Sequence, residues 1–265
     1  MREEEAISME RTRLEKTTGS PTRVTFLGSG DAFGSGGRLP SAVHVGDGER
    51  GFLVDCGPAV LPAMRRSGVE PSTVELILIS HLHGDHLGGV PFFLLEEQLA
   101  SARQAPLVIA GPEGVGRVVS TLAETLFPGF STSIVTFPLS FVELRPLVTV
   151  ELCGVGILPF PAIHSAASNP LSLRVETGSR VIAYSGDTEW HDGLIEASRG
   201  ADLFICECFS YHGPKANHLD HSTLVSKKGL IDAKRIVIVH MDETMLARTG
   251  SLAFEPAFDG MVIEL

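Results

Sequence analysis

Four potential metal ligands are crowded into six residues directly after a mainly apolar run. The stretch HLHGDH contains His81, His83, Asp85 and His86, and it follows the run VELILI. Neutral imidazoles and carboxylates are ligands that divalent metals take from proteins when a rigid frame holds them. Two positions apart in an extended segment, His81 and His83 face the same way. The spacing therefore predicts part of a metal site at the end of a buried strand.

Further ligand candidates follow other predicted strands. His164 comes after the run that ends LPF, Asp187 follows VIAYSG, and His240 closes RIVIV. One metal ion would be crowded by the four ligands of HLHGDH, whereas two neighbouring ions would not. A lone histidine at a strand end is usually structural, but three more ligand candidates at three strand ends favour a centre that holds two metals.

Short β-branched runs alternate with Gly and Pro, and segments with helical spacing lie between them. Strands are predicted at RVTFLGS, SAVHVGD, GFLVDCG, VELILIS, APLVIAG, TVELCGVGILPF, the hairpin LSLRVETGSRVIAYSG, ADLFICECF and RIVIVHM. Helices are predicted at PAVLPAMRRSG, GGVPFFLLEEQLASAR (from near Gly88), GVGRVVSTLAETLF, DGLIEASRG and residues 222–230. Two halves that both mix strands and helices fit two packed sheets with helices outside. We expect one α/β domain over residues 22–265, preceded by a flexible charged leader, residues 1–21.

The composition restricts the partners of the chain. A formal net charge of −11 over 265 residues argues against a broad nucleic-acid footprint, because phosphate binding needs clustered Lys and Arg. The chain has no apolar run of 18 residues and no signal-peptide core, so we expect a soluble cytoplasmic protein without a membrane partner. Cys206 and Cys208 are expected to be buried thiols rather than a bridge. A small-molecule substrate is expected, and the sequence is compatible with a homodimer.

The order of these motifs resembles that of the metallo-β-lactamase-fold hydrolases over residues 23–245. Within that superfamily the chain is most similar to the ribonuclease Z and small phosphodiesterase branch. FLGSGDAFGSGGRLPS resembles the Gly-rich first turn of the branch, GDT at 186–188 resembles its bridging-aspartate motif, and ICECF and HST at 221–223 resemble its Glu-containing and His-Ser-Thr motifs. The resemblance implies a four-layer αββα sandwich of two mixed β-sheets with helices on the outer faces and ligands on loops at one edge.

The resemblance also implies how the ligands are shared between two zinc ions. One ion would take His81, His83 and His164, the other would take Asp85, His86 and His240, and Asp187 would bridge them together with a water. Manganese or iron could replace zinc, because ligand identity alone does not choose the metal. Two cations that share a water lower its pKa, so hydroxide is supplied near neutral pH, and they polarise the scissile phosphoryl or carbonyl oxygen. Asp85 can then accept a proton as the intermediate collapses.

A phosphodiesterase also needs an acid that protonates the leaving alkoxide. By analogy with the branch, we expect His221 in this role with Glu207 as its orienting partner, since a nearby carboxylate raises the pKa of an imidazole and fixes its tautomer. The chain departs from the family at Cys206, where a histidine is usual beside the Glu. The alternative is that Glu207 is only a buried network partner. His191, His212 and His218 are expected near the same edge, where they could touch substrate or merely solvent, and the sequence favours solvent.

The spacing of the motifs bears on the substrate. Members of this branch that mature tRNA carry a protruding basic arm, which we expect between the third and fourth metal motifs. Only 22 residues separate His164 from Asp187, and the predicted hairpin fills them. Together with the acidic charge, this argues against tRNA and favours a small phosphodiester. The alternative enzyme is a hydrolase of lactones, thioesters or β-lactams, which would not need His221. A non-catalytic metal-binding protein is disfavoured, because no ligand position is lost.

Overall fold

The computed structural model describes residues 21–130 and 135–265, so residues 1–20 of the expected leader lie outside the described part of the chain. The strands are β1 (Arg23–Gly28), β2 (Ala42–Gly46), β3 (Gly51–Val54), β4 (Val74–Leu78), β5 (Leu107–Gly111), β6 (Leu139–Glu143), β7 (Val150–Leu152), β8 (Val155–Pro161), β9 (Leu171–Thr177), β10 (Arg180–Tyr184), β11 (Leu203–Glu207), β12 (Ile236–Val239), β13 (Glu255–Pro256) and β14 (Val262–Glu264). The helices are α1 (Val60–Ser67), α2 (Gly84–Leu87), α3 (Val90–Leu99), α4 (Val115–Leu126), α5 (Gly193–Ser198), α6 (His221–Lys227) and α7 (Glu243–Leu246).

These strands form two mixed sheets of seven strands each. The first has the order β14-β1-β2-β3-β4-β5-β6, and the second has the order β13-β12-β11-β10-β9-β8-β7. Strands β3 to β6 run parallel to one another, as do β10 to β13, and the other pairs are antiparallel. The division of the chain into two halves is therefore incomplete, because the C-terminal strand β14 returns to pair with β1.

Alternating side chains place each sheet between two apolar layers. In β4, Leu76 and Leu78 belong to the core between the sheets, whereas Ile77 points into the core beneath α1, α3 and α4. The second sheet does the same, with Ile205 in the central core and Phe204 packed beneath α5, α6 and α7. Burial of one such side chain stabilises the fold by about 1.5–3 kcal/mol. The four-layer αββα sandwich expected from the sequence is confirmed.

The structure corrects the expected elements at the metal motif. The helix expected from near Gly88 is preceded by the separate helix α2, which begins at Gly84. The carbonyl of His83 accepts from the backbone N–H groups of His86 and Leu87, at 3.1 Å each, and this closes the first turn. Asp85 and His86 therefore lie on a helical turn, which aims both side chains at the same edge of the sheets.

Other expectations concern membranes and thiols. Within residues 21–130 and 135–265, no helix combines the length and apolar character needed to cross a lipid bilayer. Cys206 and Cys208 are buried and free, as expected.

Candidate metal centre

The carboxyl ends of parallel strands from both sheets meet at one edge of the sandwich. His81 follows β4, Asp187 follows β10, and His240 follows β12. Gly186 lets the chain turn sharply before Asp187. Its φ is +59°, and an added Cβ would lie 2.8 Å from the carbonyl oxygen of Leu171. Only glycine fits both conditions without strain, which explains the first position of the GDT motif.

Three imidazoles meet at this edge through their ring nitrogens. Nε2 of His81 and Nε2 of His164 each lie 3.1 Å from Nδ1 of His83. Neighbouring ligands on a tetrahedral ion with metal–nitrogen bonds of 2.0–2.1 Å are about 3.3 Å apart. The three nitrogens therefore have the spacing of donors on one metal ion.

The outer hydrogen bonds of two of these rings decide which nitrogens carry lone pairs. Nδ1 of His81 lies 3.1 Å from the Ser80 hydroxyl, which itself donates to Asp55, so the hydroxyl oxygen accepts from His81. Nδ1 of His164 donates to the carbonyl of Asn217 at 2.7 Å. Burial lowers the pKa of His81 and of His164, so both rings are neutral and their Nε2 atoms present lone pairs. Lone pairs that face one another are stabilised by a cation between them, so this donor set fits a divalent metal.

A second donor group lies beside the first and consists of Asp85, His86, Asp187 and His240. Nε2 of His86 is buried, makes no hydrogen bond within the described residues, and lies 3.2 Å from Asp85 Oδ2 and 3.3 Å from Asp187 Oδ1. Burial opposes a charge on His86, but Asp187 and Asp55 outweigh it and raise the pKa of this ring well above its ordinary value. A bound cation would supply the positive charge that these carboxylates require.

Asp187 joins the two groups. Its Oδ2 lies 3.7 Å from His81 Nε2, 3.9 Å from His164 Nε2 and 3.3 Å from His240 Nε2, while Oδ1 faces His86. Burial opposes its ionisation, but His240 and His86 hold the pKa of this carboxyl well below its ordinary value. The structure thus brings together all seven ligands expected from the sequence, and one carboxylate contacts both groups.

Asp55 is a residue of this centre that the sequence analysis missed. It is fully buried, and its Oδ2 accepts from the ring of His86 at 2.6 Å, from the Ser80 hydroxyl at 2.9 Å and from the Tyr184 hydroxyl at 2.7 Å. Through Ser80 it also reaches His81, so one carboxylate orients an imidazole of each donor group. The sequence did carry a signal for this residue. Asp55 directly follows strand β3, just as the ligand candidate His81 comes shortly after strand β4.

The structure changes the partner of Glu207. This carboxylate is buried, accepts from the backbone N–H of Thr188, and lies 3.1 Å from Nδ1 of His218. His221, the expected partner, accepts instead from the backbone N–H of Ala253 at 3.2 Å. The expected pairing of Glu207 with His221 is therefore wrong in its geometry.

His218, for which solvent was favoured over contact with substrate, lies beside the two donor groups. Its ring stacks on Phe209 and on His240, with centroids 4.6 Å and 5.5 Å away. One of its nitrogens lies within 4.8 Å of ligand atoms of His164 and Asp187. The two other histidines expected near this edge have different partners: His191 Nε2 lies 3.2 Å from the Ser172 hydroxyl, and His212 packs on Tyr211.

Comparison with known proteins identifies the family. A model of the beta-lactamase superfamily domain matches residues 50–241. The chain belongs to this superfamily. The Bacillus subtilis metallo-β-lactamase fold protein YhfI has the same fold, with a TM-score of 0.75 over 93% of this chain and 100% of YhfI, at 21% identity.

Other relatives of this superfamily member are named ribonuclease Z. The human tRNase Z, short form, superposes with a TM-score of 0.75 over 91% of this chain and 98% of its own, at 26% identity. The Limosilactobacillus fermentum ribonuclease Z is 26% identical over 293 positions, which cover 88% of this chain and 92% of the relative. The alignment is longer than the chain itself, so the relative has segments without a counterpart here. The chain is a metal-dependent hydrolase of this superfamily, and its relatives include proteins named ribonuclease Z.

Proposed function

We propose that the chain is a phosphodiesterase that hydrolyses small phosphodiesters with two divalent metal ions, zinc in the first instance. The observation that carries the proposal is the contact of Asp187 with two separate donor groups. His81, His83 and His164 would hold one ion, Asp85, His86 and His240 would hold the other, and Asp187 would serve both. When bound, such a pair lowers the pKa of a shared water and polarises a phosphoryl oxygen.

The protein residues would keep this centre in one geometry. Asp55 fixes the orientation of His86 directly and that of His81 through Ser80. Asp85 is partly exposed, and His86 beside it helps to keep its pKa at about 2 although burial opposes ionisation. It is therefore an anion at neutral pH, with an oxygen available to accept a proton at the edge of the centre.

The pair of His218 and Glu207 would deliver a proton to the leaving oxygen. The imidazole lies beside His164 and Asp187, so a phosphoryl group held at the centre comes within reach of this ring. Glu207 holds Nδ1, which leaves the other ring nitrogen to face the substrate. This support from geometry favours His218 over His221 as the proton donor.

Maturation of tRNA is the second candidate, favoured by relatives that are named ribonuclease Z and by the human tRNase Z. Against it, the residues between His164 and Asp187 are largely taken up by the hairpin of β9 and β10, which leaves no length for an arm. Relatives also carry segments that this chain lacks. We therefore expect at most weak cleavage of precursor tRNA at physiological salt. Efficient removal of a 3′ trailer would replace the small-phosphodiester proposal by this one.

The proposal is tested by metal reconstitution. The chelated protein should regain hydrolysis of bis(p-nitrophenyl) phosphate when Zn²⁺ or Mn²⁺ is returned, with about two ions bound per chain at full activity. Asp187→Ala should lose turnover and at least one ion, as measured by elemental analysis. Faster hydrolysis of a lactone, a thioester or a β-lactam than of every phosphodiester would contradict the proposed substrate class. A finding of at most one tightly bound ion per chain would contradict the two-metal centre.

A further inference from the structure

A cavity of about 750 Å³ has His164, a residue of the first donor group, in its wall. Its other walls come from the turn after β5, from the residues after β6, and from residues 161–171. Pockets that bind small ligands have volumes of about 300–1,000 Å³. The cavity is therefore large enough for an organic group attached to a phosphoryl group that is held at the centre.

The walls of this cavity are held in place without a ligand. The side chain of Asn169 donates to the carbonyl of Glu113 at 3.1 Å, and Ala162 donates to the carbonyl of Pro170 at 3.1 Å. The backbone N–H of Gly114 donates to Glu143 at 2.9 Å. Prolines contribute to each wall, and their fixed φ makes the walls stiff. A substrate would therefore enter a preformed pocket and lose little free energy in ordering it.

The lining of the cavity selects among substrates. Most of the lining is apolar. This apolar part comes from four prolines, from Leu144, Ile163 and Leu171, and from two alanines. The charged residues are Glu113, Glu143 and Arg145, so carboxylates outnumber the guanidinium. A second phosphate would meet a pocket whose charge is negative on balance, whereas an uncharged apolar group would replace water from apolar walls.

We propose that this cavity binds the neutral, apolar arm of a small phosphodiester, the arm that is not the leaving group. The proposal rests on the phosphodiesterase function proposed above and adds the substrate class. It disfavours substrates in which the chain continues as a polynucleotide through the cavity, because the next phosphate would enter a pocket with two carboxylates and one guanidinium.

A series of diesters with one common leaving group tests the proposal. The zinc-reconstituted protein is assayed with methyl, phenyl and 1-naphthyl p-nitrophenyl phosphate and with thymidine 5′-(p-nitrophenyl phosphate) carrying an added 3′-phosphate. Because p-nitrophenol leaves in every case, differences in kcat/KM report the other arm. We expect kcat/KM to rise by about tenfold or more from methyl to phenyl, since apolar contacts in a pocket discriminate by that order. The substrate with the extra phosphate should be the poorest of the larger ones.

Two neighbouring alanines provide a matched pair of variants. Ala166 and Ala167 are both exposed and lie in the same short turn, Ala166–Ser168, but only Ala166 lines the cavity. Ala166→Trp should narrow the cavity and lower kcat/KM for the phenyl and naphthyl diesters by about tenfold, with the methyl diester changed by less than about twofold. Ala167→Trp should leave the whole series close to wild type.

The outcomes separate this proposal from the one on which it rests. Equal kcat/KM for all arms, or a loss in Ala166→Trp that is the same for methyl and naphthyl, would overturn the pocket assignment and leave the phosphodiesterase intact. A higher kcat/KM for the diester with the extra phosphate than for the phenyl and naphthyl diesters would also overturn the pocket assignment. If no diester is hydrolysed by the reconstituted protein, the phosphodiesterase function itself fails. Tighter binding of diphenyl phosphate than of dimethyl phosphate, measured by isothermal titration calorimetry, would support the pocket independently of turnover.

Discussion

Replacement of His218 by alanine should damage hydrolysis in proportion to how poor the leaving group is. An alkoxide leaves only when it is protonated, whereas p-nitrophenolate leaves unaided. General acid help is worth about 10²- to 10⁴-fold, or about 3–5 kcal/mol of activation free energy. His218→Ala should therefore lower kcat/KM by this order for an alkyl diester and by less than about tenfold for bis(p-nitrophenyl) phosphate.

The structure sets the size of the other losses in this variant. The ring of His218 is about one-fifth exposed, and its removal leaves Oε2 of the buried Glu207 without its imidazole partner. An unpaired buried acceptor costs about 1–3 kcal/mol of unfolding free energy. This cost lowers stability but does not depend on the leaving group. The assay is therefore a plot of log kcat/KM against the pKa of the leaving alcohol, which separates the two effects by slope.

His221→Ala is the matched control, because its ring lies outside the centre. It loses the bond from Ala253 and the stack on Tyr211, so we expect lower stability and an unchanged slope. The reasoning is refuted if His218→Ala loses the same factor with every leaving group, or if His221→Ala alone steepens the slope. Metal lost from His218→Ala would make His218 a ligand instead, as its place beside His164 and Asp187 allows.

Three further perturbations have expected outcomes. Asp55→Asn removes the carboxylate that accepts from His86 and Tyr184. Urea unfolding should show that the free energy of unfolding falls by about 3 kcal/mol, and metal titration should show a 10- to 100-fold weaker affinity. Burial lowers the pKa of His44 from 6.5 to about 4, so the unfolded chain binds more protons between these values and stability falls as the pH drops through that window. His44→Gln should remove up to about 3 kcal/mol of this loss, seen in chelated protein by unfolding at pH 7 and pH 4; an identical pH slope in both proteins would count against it. Asn217 has a φ of +69° and accepts a hydrogen bond from His164 through its backbone carbonyl. Glycine tolerates this φ and valine does not, so Asn217→Gly should keep the metal affinity whereas Asn217→Val should weaken it by about tenfold. Equal metal affinities in the two variants would disprove the role of this carbonyl.

The elements and ligands that could be predicted share a local signal. The strands with alternating or fully apolar patterns were found, and each of the seven ligands follows such a strand or lies in the HLHGDH motif. Strands β6, β13 and β14 were not found. β6 is a half-exposed edge strand, and β13 has two residues. The pairing of β14 with β1 joins residues at opposite ends of the chain, which no local pattern encodes.

The expected pairing of Glu207 with His221, where the structure has His218, differs for a specific physical reason. Both histidines lie near the end of one connection, and a shift of three residues decides which one enters the centre. The backbone bonds from Phe209 to Leu219 and from His221 to Ser210, at 2.8 Å and 2.9 Å, fix that register. The motif resemblance gave the residue types in the connection correctly. Which histidine faces Glu207 depends on these backbone pairings, which join residues about ten positions apart.

The connection between β11 and α6, residues 208–220, contacts both donor groups. The carbonyl of Asn217 fixes the tautomer of His164 in the first donor group, and the next residue, His218, lies against His240 of the second. Phe209, at the start of the same connection, packs against both His218 and His240, with ring centroids 4.6 Å and 5.9 Å away. The proposed metal ligation and the proposed proton delivery would therefore be coupled through a single segment. A displacement of this segment would weaken one donor group and misplace the proton donor together, so its sequence determines more of the chemistry than its lack of regular structure indicates.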